Sequence, residues 1–208
     1  MLALKLAAGV LWTVAYALII RRSALDRVPG MPMTALCINV SWEFYYSVVS
    51  PHPAPQLYVN WVWVLLDLVI FAQFVRDGRE ELAPAVPRRT FLPVLAFTLG
   101  MSYAGVVATG HDLHDADGMY SAFGSNMLMS LLFLRMLQRR GDVRGQSLYI
   151  ALAKLVGTLC VCIVAQREHP ERHLLDVFYA GILVFDVTYA VSLARRSREL
   201  GLDPWRRA

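Results

Sequence analysis

Long apolar stretches alternate with short polar connections along the whole chain. Each stretch holds 18–22 residues, and a helix of that length, rising about 1.5 Å per residue, crosses about 30 Å of hydrocarbon. The stretches run over residues 3–20, 31–50, 57–75, 91–109, 119–137, 146–165 and 173–194. The pattern predicts an all-α, polytopic membrane protein in which residues 1–208 form one domain, a bundle of seven transmembrane helices.

The composition excludes a soluble domain. Of 208 residues, 57% are apolar and 17% are charged, and the mean hydropathy is +0.46, whereas soluble domains have about 45–50% apolar and about 25% charged residues. The formal charge of +4 does not indicate a nucleic-acid partner, because basic residues in a membrane chain mark its topology. Of the 20 basic residues, 18 are arginine, a bias that favours a GC-rich genome and hence a bacterial cell membrane.

Basic residues collect in every second connection. The connections after the first, third and fifth stretches and the C-terminal tail, together with Arg135 near the end of the fifth stretch, hold 16 of them, whereas the other connections hold only Arg167 and Arg172. Basic residues favour the cytoplasmic side of a membrane. The asymmetry therefore predicts an N-terminus outside and a C-terminus in the cytoplasm, which requires an odd number of spans.

Four ionisable side chains lie inside the apolar stretches, namely Glu43, Asp67, Lys154 and Asp186. Each costs about 2.5–3.5 kcal/mol to insert into a bilayer, so each is a candidate for function. Structural ion pairs or hydrogen bonds between helices are the alternative explanation. Counted at about 1.5 Å per residue, the three acids lie at overlapping depths, and we expect them to share one elongated central cavity.

Aromatic and amide side chains lie within two helical turns of each acid. They are Asn39, Trp42 and Tyr46 around Glu43, then Asn60, Trp63, Phe71 and Phe74 around Asp67, and Tyr179 and Tyr189 around Asp186. An aromatic belt at the membrane surface is an alternative explanation for Tyr46. A carboxylic acid in an apolar cavity can donate a proton, and aromatic faces stabilise cations by about 0.5–2 kcal/mol. The pattern indicates a site that protonates an apolar substrate and guides a carbocation.

Three short motifs resemble one known family in their order and placement. They are Asn39-Val40-Ser41-Trp42-Glu43-Phe44-Tyr45-Tyr46 before Ser50-Pro51, Arg144-Gly145-Gln146-Ser147 at the sixth stretch, and Asp186-Val187-Thr188-Tyr189 before Arg195-Arg196. With them, the chain resembles the integral-membrane terpene cyclases over almost its whole length. These are small seven-span enzymes of fungal meroterpenoid and indole-diterpene pathways, with bacterial counterparts that act on farnesylated indoles of the drimentine type.

The resemblance implies a class II cyclisation, in which a proton starts the closure of a polyprenyl chain and no diphosphate is ionised. It implies Glu43 and Asp186 as the essential catalytic acids, and we expect them to act as a coupled pair with Glu43 as the donor. The other candidate substrate contacts are Asn39, Trp42, Tyr46, Trp63, Asp67 and Tyr189, and Lys154 takes a supporting place where the family often has arginine. The implied substrate is a prenylated aromatic such as a farnesylated indole, with no metal or other cofactor.

Two other readings of the sequence stay open. A small seven-span transporter of the sugar-carrier type is one, because Pro55-Gln56 matches the Pro-Gln signature of those carriers, although only one copy is present. The histidines and acids of residues 111–117 could hold a metal, but a polar loop is the simpler explanation. The partners we expect are a prenylated small molecule and the lipid bilayer, without nucleic acid, and the sequence does not indicate an oligomeric state.

Overall fold

The computed structural model describes residues 1–83 and 86–207, and in that part of the chain it contains helices and no β-strand. The helices are α1 (Leu2–Asp26), α2 (Met33–Phe44), α3 (Gln56–Leu82), α4 (Phe91–Asp112), α5 (Met119–Arg140), α6 (Leu148–Glu168) and α7 (His173–Glu199). Short 3₁₀ turns lie at Arg88–Thr90 and Pro204–Arg206. The predicted all-α fold is confirmed, and each apolar stretch overlaps one helix.

Five of the described helices are long and apolar enough to cross a membrane. They are α1, α3, α4 with the 3₁₀ turn before it, α6 and α7. The α-helical part of α2 has only 12 residues because it begins after Pro32, and beyond Phe44 the chain continues as a π-helical turn, Tyr45–Val49. Helix α5 has 22 residues but is not one of these five. It carries polar side chains such as Ser121, Asn126 and Ser130.

The helices form a closed ring of six, with α4 outside the ring. Helix α1 packs along α6, α6 on α7, α7 on α5, α5 on α2, α2 on α3, and α3 again on α1, while α4 lies mainly against α2. Each ring helix buries at least one aromatic or polar side chain, and these include Tyr16, Glu43, Asp67, Ser130, Lys154 and Asp186. Large apolar side chains such as Val10 and Phe97 are exposed on the outside, where a lipid phase would cover them.

The loop between α4 and α5 is held against the end of α2. The buried carboxylate of Asp115 accepts hydrogen bonds from the backbone N–H groups of Tyr120 and Ser121, both at 2.9 Å, which satisfies donors that have no partner within α5. Gly118 has a φ of 68°, and a side-chain carbon there would lie 2.8 Å from the Tyr46 ring. The acid at position 115 of this loop therefore has a structural role.

At the opposite end of the bundle, Asp26 joins three segments of the chain. Its carboxylate accepts hydrogen bonds from the backbone N–H of Gly145 at 2.8 Å and from the guanidinium of Arg207 at 3.1 Å. Ser147 then caps α6, since its hydroxyl accepts from the backbone N–H of Ile150 at 3.2 Å. The motif Arg144-Gly145-Gln146-Ser147 is thus a turn that attaches the start of α6 to the end of α1.

Candidate functional site

A first buried cluster brings together α1, α2 and α3. The hydroxyl of Tyr16 donates a hydrogen bond to Oε1 of Glu43 at 2.7 Å. The amide nitrogen of Asn39 donates to Oδ2 of Asp67 at 2.8 Å, lies 3.2 Å from Oε1 of Glu43, and also donates to the hydroxyl of Tyr16. Tyr16, Glu43 and Asp67 are each at most 2% exposed. The spacing of Asn39 and Glu43, one helical turn apart, places both side chains on the face of α2 that meets α3.

The two acids of this cluster keep part of their hydrogen-bonding capacity unused. Oε2 of Glu43 and Oδ1 of Asp67 are buried and have no hydrogen-bond partner among the described residues. All the hydrogen-bond donors to these carboxyl groups within the described chain are neutral, the phenol of Tyr16 and the amide of Asn39. The cluster therefore holds two carboxyl groups in an apolar interior without a counter-charge, an arrangement in which two negative charges side by side are unfavourable.

A second buried cluster joins α5, α6 and α7. The ammonium group of Lys154 donates to both oxygens of Asp186, at 2.8 and 2.9 Å, and to the hydroxyl of Ser130 at 2.6 Å. The side chains of Lys154 and Asp186 are 4% and 1% exposed. Here the positive and negative charges compensate each other, in contrast to the first cluster.

The predicted coupling between Glu43 and Asp186 does not agree with these contacts. In the described part of the chain Glu43 is joined to Asp67 through Asn39, and Asp186 is joined to Lys154. The physical reason is the order of the ring, because α2 packs on α3 and α5, whereas α7 packs on α5 and α6. Similar depth along the membrane normal does not by itself bring two side chains together.

An aromatic side chain that the sequence analysis did not select, Trp12, lies between the two clusters. Its ring centroid is 5.7 Å from Nζ of Lys154 and 5.9 Å from the ring of Tyr16. Tyr16 also contacts the ring of Trp63 at 6.1 Å, edge to face, and the indole N–H of Trp63 donates to the hydroxyl of Thr13 at 3.1 Å. The spacing of Trp12 and Tyr16, four residues apart on α1, was the signal in the sequence that could have identified this aromatic wall.

Two predicted substrate contacts use their polar atoms to hold the α4–α5 loop. The indole N–H of Trp42 donates to the carbonyl of Gly118 at 3.1 Å and to the hydroxyl of Ser121 at 3.2 Å. The hydroxyl of Tyr46 donates to the carbonyl of Asp115 at 2.8 Å, and Tyr46 is only 1% exposed. Tyr46 is therefore buried under the loop, and the explanation as a surface aromatic belt does not apply to it.

Tyr189 and two cavities lie apart from the first acid cluster. Tyr189 is buried, packs on Phe133 with ring centroids 5.5 Å apart, and its hydroxyl has no hydrogen-bond partner in the described chain. A cavity of about 150 Å³ between α6 and α7 is lined by Asp186. A groove of about 560 Å³ opens between α2, α4, α5 and α7. Neither volume is lined by Glu43 or Asp67, so neither of them is the expected cavity that contains all three acids.

A bundle of apolar helices that buries uncompensated acids beside aromatic rings has the chemical features expected of a membrane-embedded terpene cyclase. The comparison with known proteins leads to the same class. Residues 1–198 match the model of the Pyr4-like transmembrane terpene cyclases, and the chain belongs to this family. The predicted family, the integral-membrane character and the cyclase activity of the class are thereby confirmed.

Several curated relatives cover most of the chain. Terpene cyclase pyr4 of Aspergillus fumigatus is 30% identical over 212 residues, covering 93% of this chain and 86% of the relative. The Pyr4-family terpene cyclase mfmH of Annulohypoxylon moriforme is 27% identical over 197 residues, covering 91% and 81%. Asnovolin H synthase nvfL of Aspergillus novofumigatus is 28% identical over 203 residues, covering 89% and 82%. These relatives are fungal and do not support the predicted bacterial cell membrane. No solved structure matches the chain.

Proposed function

We propose that the protein is a class II terpene cyclase that protonates the polyprenyl chain of a prenylated aromatic compound. The observation that carries the proposal is the side-chain amide of Asn39, which joins Glu43 and Asp67 inside the bundle. Two carboxyl groups linked in this way and shielded from water are poorly ionised together. A proton kept on the pair is available to a substrate whose reacting group is an alkene or an epoxide.

Glu43 is the donor in this proposal and Asp67 its partner. Tyr16 donates to Oε1 of Glu43 at 2.7 Å, whereas Oε2 has no hydrogen-bond partner among the described residues, so Oε2 is the oxygen on which the proton is carried. Asn39 donates to Asp67 at 2.8 Å and lies 3.2 Å from Glu43, so its amide holds the two carboxyl groups next to each other. Asp67 can then take up a new proton for Glu43 between turnovers.

The cyclisation needs no reactant besides the substrate, because the proton added at the start is matched by a proton lost at the end. The proton adds to the terminal alkene or to the epoxide oxygen, the internal double bonds attack the cation in turn, and the last cation loses a proton. The product is therefore an isomer of the substrate. The rings of Trp12, Tyr16 and Trp63 supply cation-stabilising faces beside Glu43, and an apolar interior keeps water from capturing the cation.

We propose further that all seven helices cross the membrane as one domain, with the N-terminus outside. Helix α2 with its π-helical turn covers residues 33–49, about 25 Å at about 1.5 Å per residue, and its Asn39 and Glu43 contact Tyr16 and Asp67 inside the ring. The connections near Asp26 and the C-terminal tail carry most of the arginines, which supports a cytoplasmic location for that end. The choice of a farnesylated indole as substrate rests on the motif resemblance.

The proposal is tested on membranes that contain the full chain, incubated with a farnesylated indole and analysed by liquid chromatography and mass spectrometry. Cyclisation gives a product of unchanged mass and new retention time, with or without a metal chelator. We expect Glu43→Gln to lower the rate at least about 100-fold, the scale of general-acid catalysis, and Asp67→Asn to lower it about tenfold. Glu80→Gln, at an exposed site on α3, is the matched control. A Glu43→Gln variant with the wild-type rate would refute the assignment of the donor.

A further inference from the structure

The Lys154–Asp186 pair differs chemically from the cluster around Glu43. Both oxygens of Asp186 accept hydrogen bonds from one ammonium group, at 2.8 and 2.9 Å, and the same group donates to Ser130. Both oxygens of the Asp186 carboxyl group are thus occupied by one cationic donor, which leaves no unoccupied oxygen to present to a substrate. The contacts therefore do not fit the direct acid role that the motif resemblance implies for Asp186.

The pair is connected to the donor cluster through the aromatic wall. Nζ of Lys154 lies 5.7 Å from the centroid of the Trp12 ring, within the range of a cation–π contact. Trp12 packs on Tyr16 at 5.9 Å, and Tyr16 donates to Glu43 at 2.7 Å. The contacts therefore run without a break from Asp186 through Lys154, Trp12 and Tyr16 to Glu43. The central residue of this path is Trp12, which has no ionisable group.

The backbone of α6 adds a second constraint on the same ring. Gly157 follows Lys154 by one helical turn, and a side-chain carbon at Gly157 would lie 3.0 Å from the Trp12 ring and 3.1 Å from Leu11. The indole therefore rests directly on α6, with the ammonium group beside it. Two features of α6, the absence of a side chain at Gly157 and the buried ammonium group of Lys154, fix the position of Trp12.

We propose that Asp186 is a positioning residue for the cyclisation. It anchors Lys154, and Lys154 holds the Trp12 ring against Tyr16 so that the cation-stabilising wall lies beside Glu43. In this role Asp186 transfers no proton to the substrate. The inference rests on the proposed cyclase function and assigns a separate task to the second acid of the resemblance.

The decisive experiment compares single and paired neutral variants with farnesylated indole as substrate. Asp186→Asn alone leaves a buried ammonium group without its counter-charge, and breaking a buried pair in this way is strongly destabilising. We expect Asp186→Asn and Lys154→Gln each to lower kcat at least about 100-fold. The double variant Lys154→Gln/Asp186→Asn, whose amides can bond to each other and to Ser130, should be at least tenfold faster than Asp186→Asn. Rates are normalised to the folded protein measured by size-exclusion chromatography.

A direct acid role of Asp186 predicts a different result for the double variant. If Asp186 gave a proton to the substrate, the double variant would be as slow as Asp186→Asn at equal amounts of folded protein, and the proposal would be overturned. Glu43→Gln/Asp67→Asn serves as the matched pair and should show no recovery over Glu43→Gln. A wild-type rate of Glu43→Gln would instead refute the donor assignment in the proposed function, so the two failures are distinguishable.

The position of the ring is read from the products rather than from the rate. We expect Trp12→Leu and Gly157→Ala to raise the share of partly cyclised isomers, because the first removes the ring and the second displaces it. Gly100→Ala, where a side-chain carbon would meet open space in α4, is the control and should leave the products unchanged. Wild-type product ratios in both Trp12→Leu and Gly157→Ala would refute the route through Trp12.

Discussion

The side-chain amide of Asn39 lies 2.8 Å from Oδ2 of Asp67, and this hydrogen bond joins α2 to α3 inside the ring of helices. An asparagine suits this place because its amide is a neutral donor. A lysine or arginine there would supply a positive charge and favour the ionised form of both acids, whereas the donor beside Asp186 is the ammonium group of Lys154. The difference between a neutral and a cationic donor thus separates the tasks of the two buried clusters.

The first prediction concerns Asn39 itself. Asn39→Leu keeps the approximate size of the side chain and removes the donor, so Glu43 and Asp67 lose their link. We expect the rate of cyclisation to fall at least about tenfold, as measured by product formation per folded protein, because the proton is no longer held in place. Asn126→Leu removes a buried hydrogen bond of similar kind, to Thr158 at 3.1 Å, and should lower thermal stability without an equal loss of rate. Equal rates for wild type and Asn39→Leu would contradict the role of the amide.

The sequence identified the buried ionisable residues because a charge stands out in an apolar stretch. Glu43, Asp67, Lys154 and Asp186 are all buried in the interior. Their pairing was not predictable, since hydropathy and depth leave the rotation of a helix and the identity of its neighbours open. The ring order places α3 beside α2 and α6 beside α7, and this order decides which acid meets a lysine and which meets another acid.

The aromatic residues show a second reason why a part of the site was missed. Trp42 and Tyr46 were selected because they adjoin Glu43, yet their N–H and O–H groups bind the α4–α5 loop. Trp12 and Tyr16 were not selected because residues 6–20, the part of α1 around them, contain no charged side chain that would draw attention to their shared face. A buried phenol that donates to a carboxyl group leaves no signature in the sequence apart from the spacing of Trp12 and Tyr16, four residues apart on α1.

The second prediction concerns the orientation in the membrane. A reporter fused after residue 208 should report the cytoplasm, and one inserted near residue 114 should report the outside. The physical reason is the accumulation of basic residues at the end of the bundle that contains Asp26. A C-terminal reporter that is active only outside would contradict both the orientation and an odd number of spans.

The third prediction compares two glycines with a similar backbone conformation. Gly118 and Gly201 have φ values of 68° and 70°, so alanine costs about 1–2 kcal/mol at either position. A side-chain carbon at Gly118 would also lie 2.8 Å from the ring of Tyr46, whereas at Gly201 it would meet nothing within 4 Å. We therefore expect Gly118→Ala to lower the melting temperature in detergent more than Gly201→Ala. Equal shifts would show that the loop does not press on the ring of Tyr46.

The fourth prediction concerns His52, which lies in the connection between α2 and α3. Its ring stacks on Tyr46 with centroids 4.7 Å apart. Asn60 donates to Nδ1 at 3.0 Å, so the neutral ring carries its proton on Nε2 and donates to the carbonyl of Asp117 at 3.2 Å. Burial lowers the pKa of His52 below its usual value, although the nearby Asp117 acts in the opposite direction.

The sign of the pH effect follows from this shift. In the unfolded chain His52 takes up a proton as the pH falls below about 6.5, whereas in the folded protein it stays neutral to a lower pH. The stabilisation is therefore complete above the unfolded pKa and is lost as the pH falls from there towards the lower, folded pKa. We expect the melting temperature of the wild type to decrease between pH 7.5 and pH 5.5, and His52→Asn, which keeps an acceptor near Asn60 but does not titrate, to show a smaller decrease. His111→Phe, at an exposed site, should follow the wild type, and an unchanged pH dependence in His52→Asn would rule out His52 as the cause.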